Sequence, residues 1–257
     1  KKIPCWIVDA LHLNRSMGRV RGKNDRLDAR RIAKFACRNY QDARPHQATP
    51  EVISQLNSLV RQRERMLKSI HQLRVGIQEE KAMMLNNTQG WYTASEQAIK
   101  ALAKQLKIIE QQIAQLIASD QRLSRINAVL QSVTGIGPIN AYLLLIATHG
   151  FSRLNNGRQL AAYIGLAPYP YESGSSIKRK ARISSLGCRK IKAKLTMGAR
   201  SVSRTNNRLG KFYQKKISEG KLHKVALNAL KNKMINTACA CVKKNVMYDE
   251  NFVHVLA

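Results

Sequence analysis

Three places in the sequence combine residue types and spacings that could do chemistry. Asp25 and Asp28 stand three apart in the run Asn24-Asp25-Arg26-Leu27-Asp28-Ala29. On a helix that spacing puts both carboxylates on one face, where they could share a hard divalent cation such as Mg2+. The same acids at a helix start would also cap it and complement its dipole, and taken alone that reading is the stronger. Two carboxylates fall short of a catalytic metal site, so further ligands would have to come from elsewhere. The second place is Glu172-Ser173-Gly174-Ser175-Ser176, which runs into Lys178, Arg179, Lys180 and Arg182. A serine there, activated by a base, a metal or the positive field, could attack a phosphate, and the cations would stabilise the phosphorane-like charge. A flexible connector is the plain alternative. No Ser/His/Asp arrangement is recognisable, because the six histidines are dispersed and none adjoins this loop. The third place is Thr134-Gly135-Ile136-Gly137-Pro138, a Gly-x-Gly turn between two apolar segments, similar to a helix-hairpin-helix. Gly135 and Gly137 would allow positive φ and close approach, and the free N–H groups starting the second helix could hold a phosphate oxygen of any nucleotide. A buried helix–helix turn explains the same residues, since the following INAYLLLIA is very apolar.

The elements that must position these residues fall into three blocks. Ile3 to Leu11 (IPCWIVDAL) reads as one buried strand. A basic loop follows, and then NDRLDARRIAKFAC, with Leu27, Ile32 and Phe35 at helical spacing. Strand, loop and helix make the tail of an α/β unit, too small to be a domain alone. Residues 1–47 form this first block. Residues 48–121 carry a heptad pattern, with Val52, Leu56, Leu59, Met66, Ile70, Leu73 and Ile77 on one helix. Thr93 and Glu96 read as a capping box that restarts a second helix through Ile99, Leu102, Leu106, Ile109, Ile113 and Leu116. Two such helices predict an antiparallel coiled-coil arm, which could pair with a second copy or with nucleic acid, or else a two-helix piece of an ordinary bundle; apolar seams on a long arm favour pairing with a second copy. Residues 122–257 read as almost wholly helical, so the fold class is mainly α.

Charge names the partner class. The chain of 257 residues has 45 Lys+Arg against 15 Asp+Glu, a formal net charge of +30. Such a surplus repels itself unless it meets a polyanion. Between Lys178 and Lys244 there are 20 Lys or Arg, Arg189 and Lys190 among them, and a single acid, Glu219. Solvated faces normally mix signs, so one-signed density reads as a phosphate-binding surface with steeply salt-dependent affinity. Aromatics are only 5%, which argues against binding chiefly by base stacking. Apolar runs such as Ala141–Ala147 are far below the ~20 residues that span a bilayer, and no signal peptide is visible, so no membrane partner is expected. Five scattered cysteines, with Cys239 and Cys241 only two apart, read as reduced packing thiols of a cytoplasmic protein. The chain starts without Met on a strand-like segment, so its beginning is expected to be missing.

Taken together these motifs resemble a known family. KNDRLDARRIA is similar to the Lys-x-Asp-x-x-Asp-Ala motif of the DEDD insertion-sequence transposases, the bridge-RNA-guided recombinases related to the Piv invertases. The stretch from Ser132 (SVTGIGPINAYLLLIATHG) through RQLAAYIGLAPYPYESGSSIKRK resembles their C-terminal transposase domain, and the motifs occur in the same order along the chain. The resemblance implies a partial RNase H-like, RuvC-type domain over 1–47, a coiled coil over 48–121 and a helical transposase domain over 122–257. It implies Asp25 and Asp28 as the last two of four acidic Mg2+ ligands. It also implies Ser173 as a nucleophile forming a transient phosphoserine link to DNA, a structured guide RNA that pairs with the DNA, and a dimer or tetramer joined through the coiled coil. The family's first Asp and its Glu have no match here, and Asn24 stands where the family commonly has Thr. The chain alone is therefore expected to bind nucleic acid without recombining it. The competing reading is a non-catalytic basic nucleic-acid-binding protein, a relic or fragment.

Overall fold

Apolar residues at helical spacing govern most of the architecture. The computed structural model describes residues 5–18, 24–83, 92–173 and 177–251, except for the side chains of 171–180. Among the described residues it is mainly α, with one two-stranded antiparallel hairpin. The chain divides into two compact units, residues 1–49 and 50–257.

The first unit holds α1 (Ala10–Ser16) and α2 (Asp25–Arg38). The strand expected over Ile3–Leu11 does not form in its described residues. Residues 5–9 have no regular structure, and Ala10 and Leu11 already belong to α1. The physical reason lies in the backbone: a strand with no neighbour leaves its N–H and C=O groups unpaired. Asp9 instead caps α1, its carboxylate accepting from the Leu11 and His12 N–H groups at 2.9 and 3.0 Å. The expected helix does form as α2. Trp6 stacks on Phe35 with centroids 5.6 Å apart and His12 meets the same ring edge-on at 5.7 Å. Phe35 is buried, Leu27 is half-buried, and Ile32 lies exposed, so the apolar face is narrower than its sequence suggests.

The second unit begins with two long helices, α3 (Glu51–Ala82) and α4 (Thr93–Ala118). Arg63 bonds Glu110 at 2.8 Å and the Lys81 ammonium sits 5.3 Å from the Tyr92 ring centre, so α4 runs back along α3. The foot of this pair is part of the main core. Ile53, Leu56 and Val60 bury against the same cluster as Ile109, Ile113 and Ile117, whereas Val52 and Leu59 of the heptad reading are only partly buried. At the foot the helices are flanked by further core, so the apolar stripe is wider than a two-helix seam. The capping box is also absent. Thr93 is the first helical residue, Tyr92 is the N-cap, and no side chain caps it; Glu96 N–H donates to the Tyr92 carbonyl at 2.8 Å.

Beyond Asp120, whose side chain caps it, come α5 (Gln121–Ser132), α6 (Pro138–Thr148) and α7 (Gly157–Ile164). The apolar α6 is the central helix, with Ala141, Leu143, Leu144 and Leu145 buried. Then β1 (Pro168–Ser173) pairs antiparallel with β2 (Ile177–Ile183), with a register shift at Pro170, which cannot donate to the ladder. This hairpin corrects the almost wholly helical expectation for the third block. Three consecutive cations, Lys178 to Lys180, interrupt any apolar alternation between Ile177 and Ile183, so the strand has no clean period-two pattern in the sequence. The unit closes with α8 (Arg189–Val202), α9 (Arg208–Ser218) and α10 (His223–Lys244), whose Leu227, Leu230, Met234, Ile235 and Ala238 complete the core. No helix among the described residues is long and apolar enough to cross a membrane.

Candidate nucleic-acid interface

The acidic pair sits where its spacing predicts, on the first turn of α2. Neither acid is the cap. Asn24 is, its Oδ1 accepting from the Leu27 N–H at 2.8 Å. Asp25 is exposed, while Asp28 is half-buried and accepts from the Arg31 guanidinium at 2.7 Å. One carboxylate oxygen of the pair is thus already engaged by a cation. Among the described residues no three His, Cys, Asp or Glu side chains cluster so as to hold a metal. The residues present do not by themselves fit a Mg2+ site.

In the other unit, Ser173 is the last residue of β1, paired across the strands with Ile177. Glu172 pairs with Lys178 and Tyr171 with Arg179, so the backbone of Ser173 lies within two cross-strand positions of two cations. Lys180 follows on β2, and Arg182 is exposed and paired with Tyr169. Gly174, Ser175 and Ser176, and the side chains of Ser173, Lys178, Arg179 and Lys180, lie outside the described residues. Gly165 and Gly187 set the base of the hairpin. Gly165 ends α7 with φ at +81°, and a Cβ on Gly187 would run into its backbone. Only glycines permit that crossing, which holds the start of α8 beside the strands.

The two glycines of the α5–α6 turn have different surroundings. Gly135 has φ at +89°, and a Cβ there would meet Val202 Cγ2 at 2.5 Å and Met234 Cε at 2.7 Å. A Cβ on Gly198 of α8 would in turn strike the Gly135 carbonyl oxygen. Gly135 therefore serves close helix packing. Gly137 is the exposed N-cap of α6, with open space where a Cβ would go; of the first turn Pro138, which has no N–H, is exposed as well, whereas Asn140 and Ala141 are buried.

At the start of α8, Arg189 is exposed and Lys190 reaches Glu64 of α3 at 2.6 Å. Beside this pair lies a cavity of about 420 Å³, lined among others by Arg61, Arg153, Tyr163, Cys188 and Lys190. Arg61, Arg153 and Tyr163 carried no signal in the sequence, because residues so far apart are gathered only by packing of α3, the α6–α7 loop, α7 and α8. Burial pushes the Tyr163 hydroxyl up from its ordinary pKa, and the Cys188 side chain adds to this against Arg153. A further cation is buried on α10. Lys231, 6% exposed, donates to Thr196 Oγ1 at 3.2 Å. Burial, then the neighbouring Lys192, brings its pKa down to about 8.

Comparisons with known proteins agree at both ends of the chain. Residues 127–214 match the family model described as transposase IS116/IS110/IS902 family, and residues 1–79 match a DEDD-type IS110 model described as transposase. The chain is 26% identical over 248 residues to a pilin gene-inverting protein of Moraxella bovis, covering 95% of this chain and 74% of that one. It is similar to the putative transposase y4pF/y4sB of Sinorhizobium fredii, 26% identical over 204 residues, covering 71% of this chain and 51% of that one. A probable family 20 transposase of Pseudomonas aeruginosa is 32% identical over 106 residues, 41% of this chain and 30% of that protein.

Proposed function

Because the chain belongs to the IS116/IS110/IS902 family of insertion-sequence transposases, we propose that it grips DNA and a structured guide RNA through its basic second unit and exchanges DNA strands through Ser173. The observation that carries this reading is the position of Ser173 at the end of a strand whose partner bears Lys178 and Arg179 opposite the two preceding residues. In the step, the Ser173 hydroxyl oxygen attacks a DNA phosphorus and the O–P ester to one nucleoside breaks. A hydroxyl leaves on the cut strand and a phosphoserine link remains, the serine proton passing to solvent or a base. A second strand's hydroxyl then displaces the serine. One phosphodiester is lost and one gained, so no high-energy cofactor is consumed. Cations beside the serine stabilise the charge on phosphorus.

Asp25 and Asp28 are the residues of the first unit that would contribute carboxylates to a Mg2+ site, with the remaining ligands supplied from outside the described residues. The division into a partial RuvC-type domain (1–47), a coiled-coil arm (48–121) that joins copies into a dimer or tetramer, and a transposase domain (122–257) belongs to the same proposal. Gly137 and the start of α6 would hold a backbone phosphate as the second helix of a hairpin motif does, and Lys180, Arg182, Arg189 and Lys190 would extend the grip.

The test is adduct formation. In a protein that also carries the family's first Asp and its Glu, incubation with end-labelled element DNA, guide RNA and Mg2+, followed by denaturing electrophoresis, should show a protein–DNA band that Ser173→Ala removes while binding persists. A band that survives Ser173→Ala sinks the nucleophile. The second reading, a basic nucleic-acid-binding protein without chemistry, is favoured by the Arg31 side chain that already occupies Asp28. It predicts tight, salt-sensitive binding and no adduct for the unsubstituted chain.

A further inference from the structure

Two arginines and a lysine converge on the cavity beside the start of α8, and the residues lining it include no carboxylate. Lys190 is paired with Glu64, but Arg61 and Arg153 are exposed and, among the described residues, neither is paired with an acid. Like charges held at one cavity repel each other, so the arrangement is stabilised by an anion that enters it. The guanidinium fork matches a phosphate's oxygens.

A second groove, of about 510 Å³, shares Tyr163 and Cys188 with this cavity and runs on to Tyr169 and Ser184 at the foot of the hairpin. Tyr163 and Tyr169 are each 48% exposed. Large aromatic rings left this open beside a cationic cavity offer faces on which bases can lie. In a duplex those base faces are already stacked, so only an unpaired strand can use the rings.

The geometry points to a single-strand site: the sugar-phosphate backbone of an unpaired nucleic-acid strand seats a phosphate between Arg61 and Arg153, with adjoining bases on Tyr163 and Tyr169. The site deepens the nucleic-acid reading above and rests on it. Its path leads toward β1, the strand that ends at Ser173, so it is suited to an unpaired segment presented to the hairpin. Glu64 competes with the strand for Lys190. Tyr163 acts by its ring face, so its hydroxyl is dispensable.

The test is fluorescence anisotropy of a labelled oligo-dT strand with the full chain, repeated between about 50 and 200 mM salt. The double variant Arg61→Ala/Arg153→Ala should lose at least about tenfold in affinity and about one unit of salt slope, because both side chains grip one phosphate. Tyr163→Ala should lose about tenfold while Tyr163→Phe binds like the unsubstituted chain. Glu64→Gln should tighten binding. Thermal denaturation of each variant reports the fold, and Lys104→Ala/Lys107→Ala on the exposed side of α4 is the charge-matched control. An Arg61/Arg153 loss no larger than the control's overturns the site while leaving nucleic-acid binding intact. So does a free mononucleotide displacing the strand at equal phosphate concentration. If the unsubstituted chain binds neither strand nor duplex, the broader reading fails and the site falls with it.

Discussion

Asp28 carries two assignments, as a carboxylate for a metal and as the partner of Arg31, and the second is visible in the structure at 2.7 Å. That pair is partly exposed, so removing it should cost at most about 1 kcal/mol. Asp28→Asn is therefore expected to leave stability nearly unchanged, while Asn24→Ala should cost about 1 kcal/mol, because Asn24 is the true cap of α2. Amide hydrogen exchange at Leu27 checks this: it should accelerate in Asn24→Ala and not in Asp28→Asn. Lys231 makes a second prediction. Its folded pKa, about 8, lies below the ordinary value of 10.5. The unfolded chain thus binds the proton more strongly, and stability rises with pH from about 8 to 10.5. Lys231→Met should stabilise the chain at pH 7, by an increment that shrinks as pH climbs through that window. Urea denaturation at neutral and alkaline pH reads it directly. An increment that did not depend on pH would place the effect in packing instead of charge.

At the scale of elements, the close passages between backbones decide which glycines matter. Gly198→Ala should destabilise the second unit by about 1–3 kcal/mol, since its Cβ would strike the Gly135 carbonyl at the contact between α8 and the α5–α6 turn. Gly137→Ala meets open space and should cost less than about 1 kcal/mol, the difference between Gly and Ala at an N-cap. Thermal melts of the two variants separate packing from phosphate contact, because Gly137→Ala alone leaves the core intact while altering the entrance to α6. The hairpin belongs to this scale too. Its sequence signal is confined to the small polar tip between Ser173 and Ile177, because the consecutive cations Lys178 to Lys180 interrupt any alternation up to Ile183. The strand read into Ile3–Leu11 failed for the converse reason. β-rich composition is a preference for a pleated surface, and no partner strand is present among the described residues to provide one.

For the whole molecule, thiol chemistry offers a check on which surfaces are open. Cys5 and Cys37 are exposed, whereas Cys239 and Cys241 are buried on α10. Burial drives the Cys239 thiol up to about 12 and also raises Cys241. A colourless-to-coloured disulfide reagent at neutral pH should modify Cys5 and Cys37 promptly and Cys239 and Cys241 only on unfolding. Early reaction of Cys239 would mean that α10 does not pack as described. The surplus of +30 acts at this scale as well. The second unit holds 11 acids against 33 Lys or Arg, and some of the acids are engaged, as Glu64 is by Lys190 and Glu110 by Arg63.

Periodicity, charge and local motif were enough to establish a mainly helical chain, the start of α2, the two long helices, the strongly cationic composition and the family. Each of these depends on residues close together in sequence or on sums over composition, which need no coordinates. Tertiary structure alone decided the rest. It made Asn24 the cap, gave Asp28 to Arg31, turned Gly135 into a packing contact and merged the foot of α3 and α4 into the common core. It also gathered Arg61, Arg153, Tyr163 and Lys190 around one cavity. The reason is the same throughout: a side chain's partner is set by which distant segments pack against it, and spacing along the chain does not contain that information.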